Sequence, residues 1–109
     1  MIDQKKHGRF EEIIRDLAAH FVLTESSGAG LVTVTKVEAA GKGDTAKIFV
    51  TVFPESSEEK ALAFLKRRRS DFREFVGSHS KLFRIPFFDF EIDKGEKNRQ
   101  RVEEASKNN

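Results

Sequence analysis

The stretch that most constrains this chain is Thr45 to Phe53, TAKIFVTVF. Side chains of an extended strand alternate between two faces. Ala46, Ile48, Val50 and Val52 therefore share one face, and Lys47, Phe49, Thr51 and Phe53 share the other. One face is wholly apolar and the other mixed, the pattern of a strand in a sheet covered on one side only. Such a strand needs partner strands for its backbone and helices for its apolar face, and the flanking sequence offers both.

Leu31 to Ala39 (LVTVTKVEA) is rich in β-branched residues and reads as a strand; the loop Ala40-Gly41-Lys42-Gly43-Asp44 joins it to the next as an antiparallel hairpin. Phe87 to Asp93 (FFDFEID) is a third alternating run, with Phe88, Phe90 and Ile92 on one face, Phe87, Asp89 and Glu91 on the other, and Pro86 at its start. Upstream, Phe10, Ile13, Ile14, Leu17, Phe21 and Val22 predict an amphipathic helix over about 4–23. After Pro54, Ser56 followed three residues later by Glu59 predicts a capping box and a helix start. Leu62, Leu65, Phe72, Phe75 and Val76 keep helical spacing as far as Gly77, which reads as a C-cap.

Nothing between residues 66 and 71 is apolar, so the buried stripe lapses there, as it would at a kink or at an exposed face used by a ligand. The order α-β-β-α-(α)-β predicts an α+β domain whose helices cover one face of a three-stranded sheet. That domain spans 1–93, and residues 94–109, with only Val102 and Ala105 apolar, are expected to form a mobile or weakly helical tail.

Composition narrows the function classes. A chain of 109 residues supports one small core, and without Cys it has no thiolate ligand, thiol nucleophile or disulfide. No apolar run approaches the roughly 20 residues of a membrane span, and the N-terminus lacks a signal-peptide h-region. A soluble, cytoplasmic protein is expected. His7, His20 and His79 are scattered, and no nucleophile–base pair or phosphate-binding loop of the NTPase type is visible. An enzyme is therefore not expected. All eleven aromatics are Phe, most of them expected in the core.

Charge points to a partner. Residues 66–84 hold seven cations against two acids, while the rest of the chain is mildly acidic. Lys66, Arg67, Arg68 and Arg69 span about one helical turn and must fan outward, with Arg73 extending the surface four residues after Arg69. Such a segment is either a solvated helix face or a polyanion-binding surface. Ser78, His79 and Lys81, beside Gly77, could hold a phosphate or simply follow a helix end, and Arg84 could contact RNA or merely flank the third strand.

The segments resemble the ribosome-binding factor A family. Gly30 to Glu38 looks like its first strand, Ala46 to Phe53 like its second, and Phe72-Arg73 through Val76-Gly77, Leu82 and Ile85-Pro86 like its path from the second helix to the third strand. Phe90 to Asp93 and Arg101-Val102 extend the similarity, which covers about residues 9–102. Arg68, Arg69 and Ser70 stand where the family usually has Ala-x-Gly at a helix kink, and Ser26-Ser27-Gly28 stands where an Asp-Pro turn is usual.

The resemblance implies a KH-like fold of the type II arrangement. It also implies binding to immature small-subunit (16S) ribosomal RNA late in assembly, release by a maturation GTPase, and a link to growth in the cold. No cofactor is implied, and a monomer away from membranes is expected. The alternative is a protein-interaction module that offers its open sheet face or edge to an acidic partner.

Overall fold

The computed structural model describes residues 2–24 and 30–107, with side chains from Arg9 to Thr24 and Gly30 to Ser106. The Ser26-Ser27-Gly28 turn lies outside the described residues. The elements are α1 (Ile2–Thr24), β1 (Leu31–Ala40), β2 (Thr45–Phe53), α2 (Glu58–Arg67), α3 (Arg69–His79), β3 (Phe87–Ile92) and α4 (Lys94–Lys107).

The sheet order is β1-β2-β3, with β1 antiparallel to β2 and β3 parallel to β2. A parallel pair needs a long crossover, and the α2–α3 segment supplies it. Gly41 and Gly43 turn the hairpin at φ +64° and +86°, a region glycine enters without a Cβ penalty. Register in β1 shifts between Val34 and Lys36, so Thr35 bulges out of the ladder.

The apolar face of β2 is the floor of the core: Ile48 and Val50 are wholly buried, as is Phe90 beside them on β3. Ile14, Ala18, Phe21 and Val22 of α1, Ala61 and Leu65 of α2, and Phe72 and Val76 of α3 close over it. Phe72 is the hub, its ring centroid 5.1 Å from Phe21, 4.8 Å from Phe88 and 5.9 Å from Phe90. Tilted and edge-on packing of this kind suits the aromatic quadrupole.

Two local expectations are corrected. Ser56 does not cap a helix: Glu55–Ser57 form a 3₁₀ turn, closed by Ser57 N–H donating to the Pro54 carbonyl at 2.9 Å, and α2 starts at Glu58. Gly77 is not a C-cap either, because α3 continues to His79. The chain leaves the helix at Ser80, whose hydroxyl donates to the Val76 carbonyl at 2.7 Å and accepts from Leu82 N–H at 3.3 Å. A serine side chain competing for backbone groups ends the helix where a glycine was expected to.

The kink is present despite the arginines. Arg68, at φ −100° and ψ 14°, divides α2 from α3, in the sparsely populated bridge region open to any L-residue. Its side chain lies over the Phe64 ring at 5.7 Å and pairs with Asp71 at 2.6 Å. The bend thus forms without a small residue, the Arg68 guanidinium being taken up by a ring and a carboxylate.

Residues 94–107 are helical. Asp93 precedes the first turn of α4 and accepts Glu96 N–H at 3.0 Å, an N-cap with an acid at the third helical position. The Asp93 carboxylate also accepts the Thr35 hydroxyl at 2.6 Å, tying α4 to the bulge in β1.

Candidate nucleic-acid interface

The kink places the basic run along the free edge of β3. Lys66 Nζ sits 2.9 Å and Arg69 Nη1 3.2 Å from one oxygen of Asp89, a side chain on the open face of that strand. Burial alone would raise the pKa of the Asp89 carboxyl. The Lys66 hydrogen bond, the Phe90 N–H and the charges of Lys66 and Arg69 outweigh that and hold it below the ordinary carboxylate range. One carboxylate therefore serves two cations and leaves a positive surplus.

Arg73, one turn beyond Arg69, is held by neutral groups. Its Nη2–H donates to the Ile85 carbonyl at 2.8 Å and its Nε–H to the Pro86 carbonyl at 3.2 Å. Its guanidinium lies 4.6 Å from the centroid of the Phe87 ring. None of these contacts cancels its charge. Arg84, in the linker before β3, reaches Asp44 of the hairpin loop at 3.4 Å, with both side chains well exposed. Arg67 is exposed on the last turn of α2.

The structure divides the residues singled out by sequence into groups. Arg69 and Arg73 line one concavity of about 720 Å³ between α3 and the start of β3, together with Glu74, Phe87 and Phe88. Arg73 and Arg84 line an adjoining one of about 460 Å³. Lys66, Arg69, Arg73 and Arg84 thus form one continuous flank. Ser78, His79 and Lys81 line a separate groove against Ile13, Asp16 and Leu17 of α1. His79 is engaged there: its ring stacks on Phe75 at 4.0 Å and its Nδ1–H donates to the Phe75 carbonyl at 2.9 Å. Arg68 is turned onto Phe64 and Asp71.

Reading the sequence alone missed Asp89 and Asp44 as counter-charges, and Phe83 and Phe87 as surface residues. Phe83 is 99% and Phe87 68% exposed. The signal for Phe87 was present, since alternation put it on the face of Asp89 and Glu91. Phe83 carried no such signal. Among the described residues no three potential metal-ligand side chains come together, and no helix is long and apolar enough to cross a membrane.

Comparison with known proteins bears on the family and the fold. The family model "Ribosome-binding factor A" matches residues 4–106. A ribosome-binding factor A from Tropheryma whipplei (strain Twist) is 35% identical over 96 residues, covering 86% of this chain and 48% of that protein. One from Brevibacillus brevis is 42% identical over 65 residues, covering 59% of this chain and 54% of that protein. The chain spans about half the length of these curated relatives.

The crystal structure of ribosome-binding factor A from Thermus thermophilus superposes with a TM-score of 0.71 at 22% identity, covering 79% of this chain and 94% of that one. A homology model of the same organism's factor, fitted into the cryo-EM map of a 30S–RbfA complex, superposes with a TM-score of 0.64 at 22% identity, covering 72% of this chain and 86% of that one. The fold is the KH-like α+β fold of these structures. With a family match across nearly its whole length and a sheet and helix order to go with it, the chain belongs to the ribosome-binding factor A family.

Proposed function

We propose that this chain is a non-catalytic, cytoplasmic ribosome-binding factor that binds the small ribosomal subunit through its immature 16S ribosomal RNA and assists late maturation. The observation that carries this reading is the flank of Lys66, Arg69, Arg73 and Arg84, whose charge exceeds that of the Asp89, Asp44 and Glu74 carboxylates beside it. RNA supplies a dense array of phosphates, and their neutralisation dominates the affinity of such surfaces. Arginine held in a fixed plane also grips a phosphate through two donors. That a Thermus relative was fitted into a 30S complex supports the same partner.

In this reading the protein stabilises one conformation of the RNA, needs no cofactor, and leaves when a maturation GTPase acts. Its loss would be felt most in the cold, where misfolded RNA escapes slowly. The test is gradient sedimentation of cell extract at two salt concentrations. The chain should travel with immature small subunits at low salt and shift toward the top of the gradient at high salt. Association that survives ribonuclease, with no ribosomal RNA recovered, would replace this reading with a protein partner.

A further inference from the structure

Phe83 and Phe87 line the same cavity of about 460 Å³, with Arg73, Arg84 and Ile85. Exposing a phenylalanine ring to water costs hydrophobic free energy and returns nothing to the fold. Here two rings stand out from the linker and the first residue of β3, 99% and 68% exposed, whereas Phe72 on α3 and Phe90 on β3 are wholly buried.

The Phe87 ring carries the Arg73 guanidinium 4.6 Å from its centroid, and the Ile85 and Pro86 carbonyls hold that guanidinium in place. The result is a preformed aromatic and cationic surface beside a second, almost wholly exposed ring that lines the same cavity. Arg84 reaches exposed Asp44 at 3.4 Å and can exchange that partner for a phosphate.

We infer that Phe83 and Phe87 form a stacking site for an unpaired nucleotide, the base lying on the rings and the flanking phosphate meeting Arg73 and Arg84. This rests on the RNA-binding reading above and narrows it to single-stranded or looped-out RNA. Bases inside a duplex have no free face to offer, so a stacking site discriminates against paired RNA. The juxtaposition of exposed rings with Arg73 and Arg84 favours a nucleotide over an acidic peptide, because one nucleotide supplies both a stacking face and a phosphate.

The chain contains no Trp or Tyr, so Phe83→Trp creates a single fluorescent reporter at the site. The full chain is titrated with a single-stranded ribonucleotide oligomer of about ten nucleotides, and with a hairpin duplex of the same composition. Trp emission should be quenched by the single strand and not by the duplex. Phe83→Leu and Phe87→Leu should each weaken single-strand binding roughly tenfold, and Phe83→Leu, at a ring that is 99% exposed, should leave duplex binding, salt slope and thermal midpoint unchanged.

If wild-type protein binds both RNAs and the Leu variants bind the single strand equally well, the stacking site is overturned and the RNA reading stands. If wild-type protein binds neither RNA, both fall. Quenching by an acidic peptide but not by RNA overturns the nucleotide assignment.

Discussion

The crossover α2–α3 and the C-terminal helix α4 are both densely charged, yet they use charge in opposite ways. Along the crossover, Lys66 and Arg69 share Asp89, and Arg73 is held by carbonyls and a ring, so cations outnumber their counter-charges. On α4 the cations Lys97, Arg99 and Arg101 are each matched by carboxylates. Lys97 pairs with Glu55 at 2.8 Å and Glu58 at 2.9 Å, Arg101 pairs with Glu55, and Arg99 bridges Glu96 and Glu103 on its own helix. The Lys97 hydrogen bond, ahead of the Arg101 and Lys97 charges, holds Glu55 below the ordinary glutamate range. A density of Lys and Arg says little about ligands until the pairing inside the fold is known, and the surplus is what a phosphate meets.

The helices also differ in what anchors them. Phe72 and Val76 fasten α3 to the core, whereas Val102 on α4 is 65% exposed. The largest expected effect follows from this contrast. Phe72→Ala should lower stability by about 3–5 kcal/mol through cavity formation, while Val102→Ala should stay within about 0.5 kcal/mol. Urea unfolding measures both, and equal costs would break the contrast.

Next in size is the charge comparison. Replacing Arg69, Arg73 and Arg84 together with Gln should weaken binding to small-subunit RNA by about ten- to a hundredfold and flatten the salt dependence, by roughly one unit of slope for each phosphate no longer neutralised. Lys97→Gln with Arg101→Gln should leave affinity and slope unchanged, although formal positive charge is removed there too. Equal weakening in the two variants, measured by filter binding across a salt series, would show that net charge alone decides.

A smaller effect is expected where α4 joins the sheet. Asp93→Ala removes the N-cap and the Thr35 bond and should cost about 1 kcal/mol. The Glu96 N–H and the Thr35 hydroxyl hold the Asp93 carboxyl below the usual aspartate range. A carboxyl whose pKa is lower folded than unfolded stabilises the fold fully above its unfolded value, and loses that contribution as pH falls through the folded value. Asp93→Asn should therefore shrink the acid-side loss of stability while leaving the pH dependence above about 5 unchanged.

The smallest effect is a gain. Gly77 lies inside α3, and a Cβ there would meet nothing within 4 Å, so Gly77→Ala should stabilise by about 0.5–1 kcal/mol. Thermal unfolding of the variant beside the wild type checks the sign.

Much of the architecture was legible in the sequence. The alternation in Thr45 to Phe53 marks β2 with its observed ends and its buried face, and the helical spacing from Phe10 to Val22 marks the core-facing side of α1. The basic segment was legible as charge. Its pairing was not, because Asp89 lies 20 residues from Arg69 and 23 from Lys66, beyond any local spacing rule. The C-terminal residues read as a mobile or weakly helical tail because they lack apolar periodicity. Their helix is organised by a cap and by ion pairs to Glu55 and Glu58, which only the fold brings near.

Sequence by itself determined the elements from α1 to β3, the sidedness of the sheet and the place where cations concentrate, because periodicity and composition act between near neighbours. Tertiary structure decided the parallel seating of β3 against β2, the carboxylates that temper the arginines, the engagement of His79 with Phe75, and the exposure of Phe83 and Phe87 beside Arg73. Those outcomes depend on which distant segments meet when one apolar face is buried, and no pattern within a single segment encodes its neighbour across the fold.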